Sequence, residues 1–536
     1  QGIGKGSTVG ICLPNTPFCI IAYYGAMKAG ATVANFDPTA PADALAQQIK
    51  DSNTDVMVAI NLEGSEKQPL YPNVEKAMGL SSLKKIIFCD LADVLPAGKA
   101  FGFRALNKLC ALTAHLPLKN IFNKKAQSLR NSHGVKPVAK IKKDDRHISF
   151  KDLLNSRGSP APADVKSEDV ALLQYTGGTT GVPKGAALTH ANLTSNIQQA
   201  RLWFTGGKEA EKQQKVLAIL PFFHVFSMTA LMNLSLNMGS EIIIMAEPDT
   251  RKMLDNITKE KVSLFAGVPV LYKRMIDFKD IQEYDLSSLE ICISGGAPLP
   301  ETTMAGFKKL TGIDIIEGYG LSETSPLVIA NPVNGTKKPG SIGLLVPKTE
   351  IKFADIDFPD KSVSLHMEGE ICLRGPQVMK GYFGKPEETA NVFDQDGFFH
   401  TGDIGVMDDD GYVFITDRKK DMIIVNGMKA FPKKIEETIR KFEGVSEVIV
   451  IGVPDEKSGE AVKAFIQPKS GQAIDPDKLI NFLKEHLKIY ELPYAKNIEF
   501  RNELPLTKIG KPDKKVLKEE EKARRSSPVK KTGPQP

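Results

Sequence analysis

The sequence contains few cysteines, and none of them form a metal-binding pair. Its six cysteines are scattered over 536 residues in apolar surroundings, with no C-x-x-C spacing. Zinc sites require cysteine or histidine ligands at short, regular spacings. The cysteine pattern therefore excludes a zinc site of this type. It indicates reduced core residues in a cytoplasmic protein.

Long hydrophobic runs and a strong net charge are also missing. The most apolar stretch, residues 18–36, is interrupted by Lys28 and by glycines, whereas a membrane-spanning helix needs roughly 20 mainly apolar residues. We therefore predict no spanning helix.

The net charge of +6 is small for this length, and the basic C-terminal tail lacks the interleaved aromatic residues of a nucleic-acid surface. The sequence predicts no nucleic-acid partner.

One glycine- and threonine-rich loop stands out. Residues 175–185 read YTGGTTGVPKG and follow an apolar strand pattern. It is not a Walker loop, because Val182 and Pro183 stand where that motif needs its second glycine. Glycines allow close backbone approach, and hydroxyls and an ammonium group can bind phosphate oxygens. The alternative is a mobile surface linker. The candidate phosphate ligands are Thr176, Gly177, Gly178, Thr179, Thr180, Gly181 and Lys184.

The hydrophobic patterns predict an α/β fold. Strand and helix patterns alternate over residues 9–89, and further strand patterns recur over 216–294; this alternation is typical of parallel strands covered by helices. Short strands within 340–374 predict a β-rich subdomain, and mixed patterns within 422–487 predict a small α+β domain. The opening residues already have the pattern of a domain interior, so we expect further chain before them. From residue 514 onward, lysine, glutamate, serine and proline predict disorder.

A second cluster combines groups that a magnesium nucleotide needs. Residues 314–326 read DIIEGYGLSETSP and offer the aromatic face of Tyr319 for a base, the carboxylate of Glu323 for a metal, and hydroxyls for phosphate. Upstream, a Gly-Gly pair that includes Gly296 follows a strand pattern, where backbone can approach a flat ligand. These features predict a nucleotide site.

Three further polar positions allow two interpretations each. Asp403 is flanked by glycine and suits a ribose diol, while Arg418 lies in the run DRKKD at 417–421, which could instead be a surface salt-bridge cluster. His224 follows a strand among aromatic residues. It lines a substrate pocket in one interpretation and is a satisfied core residue in the other.

A basic amphipathic stretch runs from Phe101 to Arg130. It mixes aromatic and aliphatic residues with lysines and arginines. Such a segment can lie on an anionic membrane surface. The alternative is a helix that packs on its own protein and exposes a charged face to water.

The motifs in this order carry a family resemblance. With residues 175–185, 318–326, 401–403 and 417–421 followed by Lys511, the chain resembles the adenylate-forming superfamily of acyl-CoA synthetases, adenylation domains and luciferases. The run DGFFHTGDIG, which leads on to DRKK, is similar to the signature of fatty-acyl-CoA synthetases. The resemblance covers nearly the whole chain.

The resemblance implies a two-step reaction of a long-chain fatty acid with ATP, Mg2+ and coenzyme A. The carboxylate first forms acyl-AMP with release of pyrophosphate, and the thiol of coenzyme A then displaces AMP. The family organisation implies a large N-terminal domain at 1–417, a small mobile C-terminal domain at 418–517 and a disordered tail at 518–536. A homodimer is a further expectation.

The resemblance also implies roles for individual residues. The glycine-rich loop would bind the phosphates, Glu323 would bind Mg2+, and Thr324 would lie near the α-phosphate. Lys511 would bridge the carboxylate and α-phosphate oxygens, although Pro512 departs from the family pattern and neighbouring lysines could be solvated bystanders. The remaining implied roles are adenine binding by Gly296, Ala297 and Tyr319, ribose binding by Asp403 and Arg418, substrate contact by His224 and Gly320, a hinge at Lys420, and coenzyme A contact at Gly427.

Two other functions fit the same motifs. An acyl-AMP ligase could pass the acyl group to a separate carrier protein. A catalytically silent protein could bind acyl groups or nucleotides without reaction, although the combination of Glu323, Asp403, Arg418 and Lys511 favours an enzyme.

Overall fold

The computed structural model describes residues 2–65, 68–113, 136–156, 163–176, 183–206, 212–506 and 512–526. Three sheets with their covering helices form the larger part of this chain, and a small α+β unit with its own core follows.

The first sheet is mainly parallel and is buried on both faces. Its strands are β1 (Thr8–Cys12), β2 (Thr32–Asn35), β3 (Thr54–Ile60), β4 (Lys85–Cys89), β5 (His147–Ser149), β6 (Val170–Thr176), β7 (Lys184–Thr189) and β17 (Gly381–Tyr382). Over the described residues their order is β17-β7-β6-β2-β1-β3-β4-β5. Side chains alternate along β3, so Val56 and Val58 enter one core while Met57 and Ala59 enter another.

The second sheet shares a core with the first. Its strands are β8 (Lys215–Ala218), β9 (Glu241–Ile244), β10 (Leu264–Gly267), β11 (Ile291–Gly295), β12 (Ile315–Gly320), β13 (Leu327–Ala330) and β14 (Leu344–Leu345). They are arranged as β14-β13-β12-β11-β10-β8-β9, and β9, β8, β10, β11 and β12 run parallel. Val33 of the first sheet and Phe265 of the second belong to one hydrophobic cluster. Helices pack between and around the two sheets.

One helix of this region begins with a complete capping box. Thr189 caps this helix: its hydroxyl accepts from the Asn192 amide at 3.1 Å while the Asn192 side chain accepts from the Thr189 amide at 2.9 Å. The helices are α1 (Pro17–Lys28), α2 (Ala42–Ser52), α3 (Tyr71–Gly79), α4 (Ala97–Thr113), α5 (Phe150–Leu154), α6 (His190–Thr205), α7 (Val225–Ser227, π-helical Met228–Asn233 and Leu234–Asn237), α8 (Thr250–Glu260), α9 (Pro269–Ile276), α10 (Glu301–Thr311) and α11 (Pro386–Ala390).

The third sheet is the predicted β-rich subdomain. Its antiparallel strands are β15 (Glu350–Ala354), β16 (Gly369–Arg374), β18 (Phe399–Met407) and β19 (Val413–Arg418), in the order β15-β16-β18-β19. Phe353, Ile371 and Val413 form a core together with Ile329 of the second sheet. This shared core fixes the subdomain next to the carboxyl edge of the second sheet.

The small unit is built on a long hairpin. Val445–Asp455 and Gly459–Pro468 pair along their whole length, and the helices that follow and precede them bury Ile435 and Leu479 against one face. The elements are β20 (Ile423–Val425), β21 (Met428–Ala430), β22 (Val445–Asp455), β23 (Gly459–Pro468), β24 (Ile498–Phe500), α12 (Pro432–Arg440) and α13 (Pro476–His486).

The predicted α/β class, with a β-rich subdomain and a small α+β domain, is confirmed. Within the described ranges no helix is both long and apolar enough to cross a membrane. The basic stretch that starts at Phe101 is helical up to Thr113 and lies outside the described residues from 114 to 130. Its first part packs on the protein through Phe103, which is buried, whereas Phe101 is 76% exposed.

The prediction of disorder from residue 514 onward is wrong for 514–526. Lys514–Ser526 form a helix, α14, whose Leu517 is fully buried against Ile449, Ile451 and Phe465 of the long hairpin. Glu521 pairs with Lys463 at 2.7 Å in a buried contact. Composition alone predicted disorder because this segment has few apolar residues; the partners that stabilise it are distant in the sequence. Residues 527–536 of the predicted tail lie outside the described residues.

Leu517 provides a test of this correction. Leu517→Ala should lower the unfolding free energy of the small unit by about 3 kcal/mol, because it leaves a cavity in a packed core. Amide hydrogen exchange of peptides from 445–468 in urea would measure the loss. The neighbouring Val516→Ala is the control, since Val516 is 36% exposed. Equal exchange in the two variants would contradict the packing of α14.

Candidate active site

Two parallel strands of the second sheet end at the same edge and leave room for a ligand. Gly295 of β11 lies opposite Gly318 of β12, and a Cβ atom on Gly295 would lie 3.2 Å from the Gly318 carbonyl oxygen. Gly296 then turns with a φ of +81°, which favours glycine. The carboxyl edge of a parallel sheet is where such folds bind ligands.

A cavity of about 260 Å³ opens at this edge. Its lining has a polar part and an apolar part. The polar part includes the predicted residues Thr176, His224, Tyr319, Glu323 and Arg418, and Gly296 and Gly320 also line the cavity. The apolar part is formed by Ala200, Phe204, Val225, Phe226 and Leu327. One cavity therefore presents both charged groups and an apolar surface.

Asp403 joins two groups of this lining. Its carboxylate accepts from the Tyr319 hydroxyl at 2.6 Å and pairs with the Arg418 guanidinium at 2.8 Å. Asp403 and Arg418 are direct cross-strand partners in β18 and β19. Burial raises the pKa of Tyr319 well above its usual value, and the charge of Asp403 adds to this effect and raises the pKa of Arg418. The tyrosine therefore stays neutral and the arginine stays charged.

Glu323 lies in a one-turn helix, Ser322–Thr324, at the end of β12. Its side chain is buried and accepts a hydrogen bond from the Tyr382 hydroxyl at 2.9 Å. Burial raises the pKa of Glu323. The Thr324 hydroxyl is also buried and donates to the carbonyls of Leu321 and Pro326. Thr324 thus stabilises the turn that presents Glu323, and its phosphate contact stays a prediction.

The segment 381–390 contacts two predicted site residues, and the sequence patterns did not predict these contacts. Tyr382 reaches Glu323, and Glu388 of α11 forms an ion pair with Lys184. The Lys184 ammonium also lies 5.3 Å from the centre of the Tyr382 ring. These contacts arise because β17 pairs with β7. No local sequence pattern around Tyr382 indicates that pairing.

Other predicted residues lie beside the cavity or outside the described part of the chain. Ala297 is half-buried next to Gly296, and Lys420 lies in the one-turn helix Lys419–Asp421. Gly427 is exposed in the turn between β20 and β21, with a φ of +77°. The predicted residues outside the described ranges are Gly177, Gly178, Thr179, Thr180, Gly181 and Lys511.

Models of two known protein-family domains match most of this chain. A model described as AMP-binding enzyme matches residues 1–383, and one described as AMP-binding enzyme C-terminal domain matches residues 434–511. The chain belongs to the AMP-binding enzyme family. Asp403, Arg418, Lys420 and Gly427 lie between the two matched ranges.

Relatives of this AMP-binding enzyme share most of its length. It is 39% identical over 521 residues to the long-chain-fatty-acid–CoA ligase of Bacillus subtilis (strain 168). The matched region covers 97% of this chain and 87% of that relative. The ligase of the same name from Salmonella typhimurium (strain LT2) is 35% identical over 527 residues with the same coverage. The crystal structure of ATP-bound MatB from Rhodopseudomonas palustris matches with a TM-score of 0.77 and 26% identity, covering 97% of this chain and 89% of that one.

A buried carboxyl group next to the site makes the stability of this AMP-binding enzyme depend on pH. Glu317 of β12 is 6% exposed and accepts from the Leu299 amide at 3.0 Å. Burial raises its pKa from 4.5 to about 7, although the Leu299 amide and the charge of Lys433 oppose the shift. The protonated form therefore favours folding. This contribution is complete below pH 4.5 and is lost as the pH rises to about 7.

Glu317→Gln should stabilise the protein at pH 8 by roughly 3 kcal/mol more than at pH 4.5, because glutamine cannot ionise and keeps the acceptor oxygen. Thermal unfolding of wild type and variant at both pH values measures the difference. Glu283→Gln, at an exposed position, is the control and should behave alike at both. A Glu317→Gln effect that does not change with pH would contradict the assigned titration.

Proposed function

We propose that this chain is an AMP-forming long-chain fatty acid–CoA ligase. The observation that carries the proposal is the cavity whose lining joins the charged cluster of Tyr319, Arg418 and Glu323 to an apolar surface. The charged part would bind the nucleotide, and the apolar part would receive the fatty acyl chain. The names of the relatives support the same reaction and the same class of acid.

In the proposed first step, the fatty acid carboxylate attacks the α-phosphorus of ATP, and pyrophosphate leaves. Two anions must approach each other, so the site has to screen charge before it aligns the reacting atoms. The glycine-rich loop and Lys184 would bind the phosphates. Adenine would lie by Gly296, Ala297 and Tyr319, and the ribose hydroxyls would bind Asp403 and Arg418. His224 and Gly320 would face the carboxylate end of the acyl substrate.

Lys184 is already a cation held at the base of the phosphate loop. It is tied to Glu388 and lies over the Tyr382 ring. Phosphate oxygens would compete with Glu388 for its ammonium group. The Glu388 side chain is 42% exposed. Its carboxylate could therefore move into solvent when a nucleotide binds.

Glu323 fits a role as ligand of Mg2+. Mg2+ binds oxygen atoms and often takes one or two carboxylates together with substrate phosphates and water. The buried carboxylate of Glu323, whose pKa is raised by burial, is stabilised by a nearby cation. The described residues contain no group of three or more metal-binding side chains, so the phosphates would supply further ligands. Bound Mg2+ would screen the phosphate charges.

In the proposed second step, coenzyme A attacks the acyl-AMP after the small domain has turned about Lys420. Lys511 would act in the first step and then move out of the active site with the small domain. The turn at Gly427 would approach coenzyme A. In support, the hairpin that carries this turn is held on the β-rich subdomain by the Lys429–Asp357 ion pair at 2.5 Å. Exposed ion pairs contribute little stability, so this contact can break at low cost when the domain turns.

We also propose that the protein is cytoplasmic, forms a homodimer and contacts the membrane through residues 101–130. The exposed Phe101, together with the Arg104 side chain that is half-exposed on the same helix, supports contact with an anionic membrane surface.

The reaction itself is testable with palmitate. Enzyme, MgATP and palmitate should exchange pyrophosphate into ATP, and coenzyme A should accelerate AMP release and yield palmitoyl-CoA. Acetate is the control substrate and should react far more slowly, because it cannot fill the apolar part of the cavity. Absence of exchange would indicate a silent binding protein. An acyl-adenylate that coenzyme A does not discharge would indicate an acyl-AMP ligase.

Lys511 should act in the first step only. Lys511→Ala should slow adenylation by roughly a hundredfold or more, because one charge that stabilises the transition state is lost. Thioester formation from supplied palmitoyl-adenylate should stay close to the wild-type rate. Lys515→Ala, at an exposed lysine of α14, should change neither step. Equal losses of both steps in Lys511→Ala would refute the assigned role.

A further inference from the structure

A buried carboxylate behind the active site contacts two parts of the site at once. Glu370 of β16 is 3% exposed and has no role in the mechanism above. Its Oε1 accepts from the Gly402 amide at 3.1 Å, and its Oε2 accepts from His400 Nδ1 at 3.2 Å and from Lys419 Nζ at 2.8 Å. A buried carboxylate with three donors is held firmly in one position.

The first two contacts fix the turn that carries the ribose carboxylate. Gly402 immediately precedes Asp403. Next to Glu370, the Ile371 carbonyl accepts from the Thr401 hydroxyl at 2.7 Å, and the same hydroxyl accepts from the Asp403 amide at 3.1 Å. The position of Asp403 therefore depends on two adjacent residues of β16.

The third contact fixes one side of the proposed hinge. Lys419 immediately precedes Lys420 and is tied to Glu370 in the third sheet. On the other side, Asp421 pairs with Lys518 of α14 in the small unit at 3.1 Å. Lys420 thus stands between a residue held by the third sheet and a residue held by the small unit. A turn about one residue needs such fixed neighbours, because otherwise the motion spreads along the chain.

The charge state of Glu370 suits this role. Burial alone raises the pKa of this carboxyl, but the hydrogen bonds from His400 and Lys419 outweigh burial and lower the pKa to about 2. The group is therefore ionised at any pH at which the enzyme would work, and its contact with the Lys419 ammonium is a charged one.

We propose that Glu370 is a positioning residue that anchors the stationary side of the Lys420 hinge and the Asp403 turn together. This inference rests on the proposed two-step function. It assigns to one side chain the task of keeping the ribose site unchanged while the small domain moves.

Kinetics of single and double variants test the hinge contact. Lys419→Met should slow thioester formation from supplied palmitoyl-adenylate roughly tenfold, with the KM for ATP in adenylation changed by less than about twofold. Glu370→Gln should show the same loss and also raise the KM for ATP, because His400 and the Asp403 turn lose their fixed partner. In the double variant the thioester loss should be no larger than in Glu370→Gln alone.

Two further variants separate positioning from stability. Lys419→Arg keeps the charged contact and should restore thioester formation. Glu350→Gln breaks the exposed Glu350–Arg374 pair on the same sheet, at 2.5 Å, and should leave both steps unchanged. Additive losses in the double variant, or a Lys419→Arg variant as slow as Lys419→Met, would overturn the proposal.

A measurement without catalysis keeps this test separate from the function. Amide hydrogen exchange in the ligand-free protein should become faster at 400–403 and 419–422 in Glu370→Gln, and only at 419–422 in Lys419→Met. If the wild type does not activate palmitate, the proposed function fails while these exchange rates still test the anchor. Unchanged exchange in both segments would refute the anchor even in an active enzyme.

Discussion

The ion pair of Asp403 with Arg418, completed by the Tyr319 hydroxyl, is the interaction on which the candidate site depends. Asp403 and Arg418 come from β18 and β19 of the third sheet, and Tyr319 comes from β12 of the second sheet. A buried carboxylate is costly unless it is paired and hydrogen-bonded. Asp403 meets this requirement through one partner from each of two sheets, so its contacts connect the second and third sheets beside the cavity.

Several buried acids surround this pair. Burial raises the pKa of Glu317 to about 7 and that of Asp417 to about 6, and it also raises the pKa of Glu323. Nearby cations oppose each of these shifts, but burial outweighs them, so ionisation of these carboxyl groups lowers the stability of the fold. Of the three, only Glu323 lines the cavity. In the proposed reaction, Mg2+ held at Glu323 would favour the ionised form of that carboxyl.

The contacts around the cavity involve residues that would act in different steps of the proposed reaction. Tyr382 and Glu388 contact Glu323 and Lys184, which would face the phosphates in the proposed reaction. Glu370 instead contacts Gly402, next to the proposed ribose ligand Asp403, and Lys419, next to the proposed hinge. Tyr382, Glu388 and Glu370 all belong to the large part of the molecule, in β17, α11 and β16. The small unit contacts this frame through ion pairs such as Lys429–Asp357, which is compatible with a domain that turns between two steps.

The sequence by itself determined those features that depend on neighbouring residues. Strand and helix patterns predicted the alternating elements within 9–89 and the short strands within 340–374. The motif at 314–326 predicted Tyr319 and Glu323, which both line the cavity. Hydrophobic period, turn residues and local motifs are encoded within about ten positions. Only the tertiary structure decided the contacts of Tyr382, Glu388 and Glu370 and the helical state of α14. Their partners lie far away in the chain, and burial and charge pairing across that distance arise from sheet pairing and packing that no local pattern records.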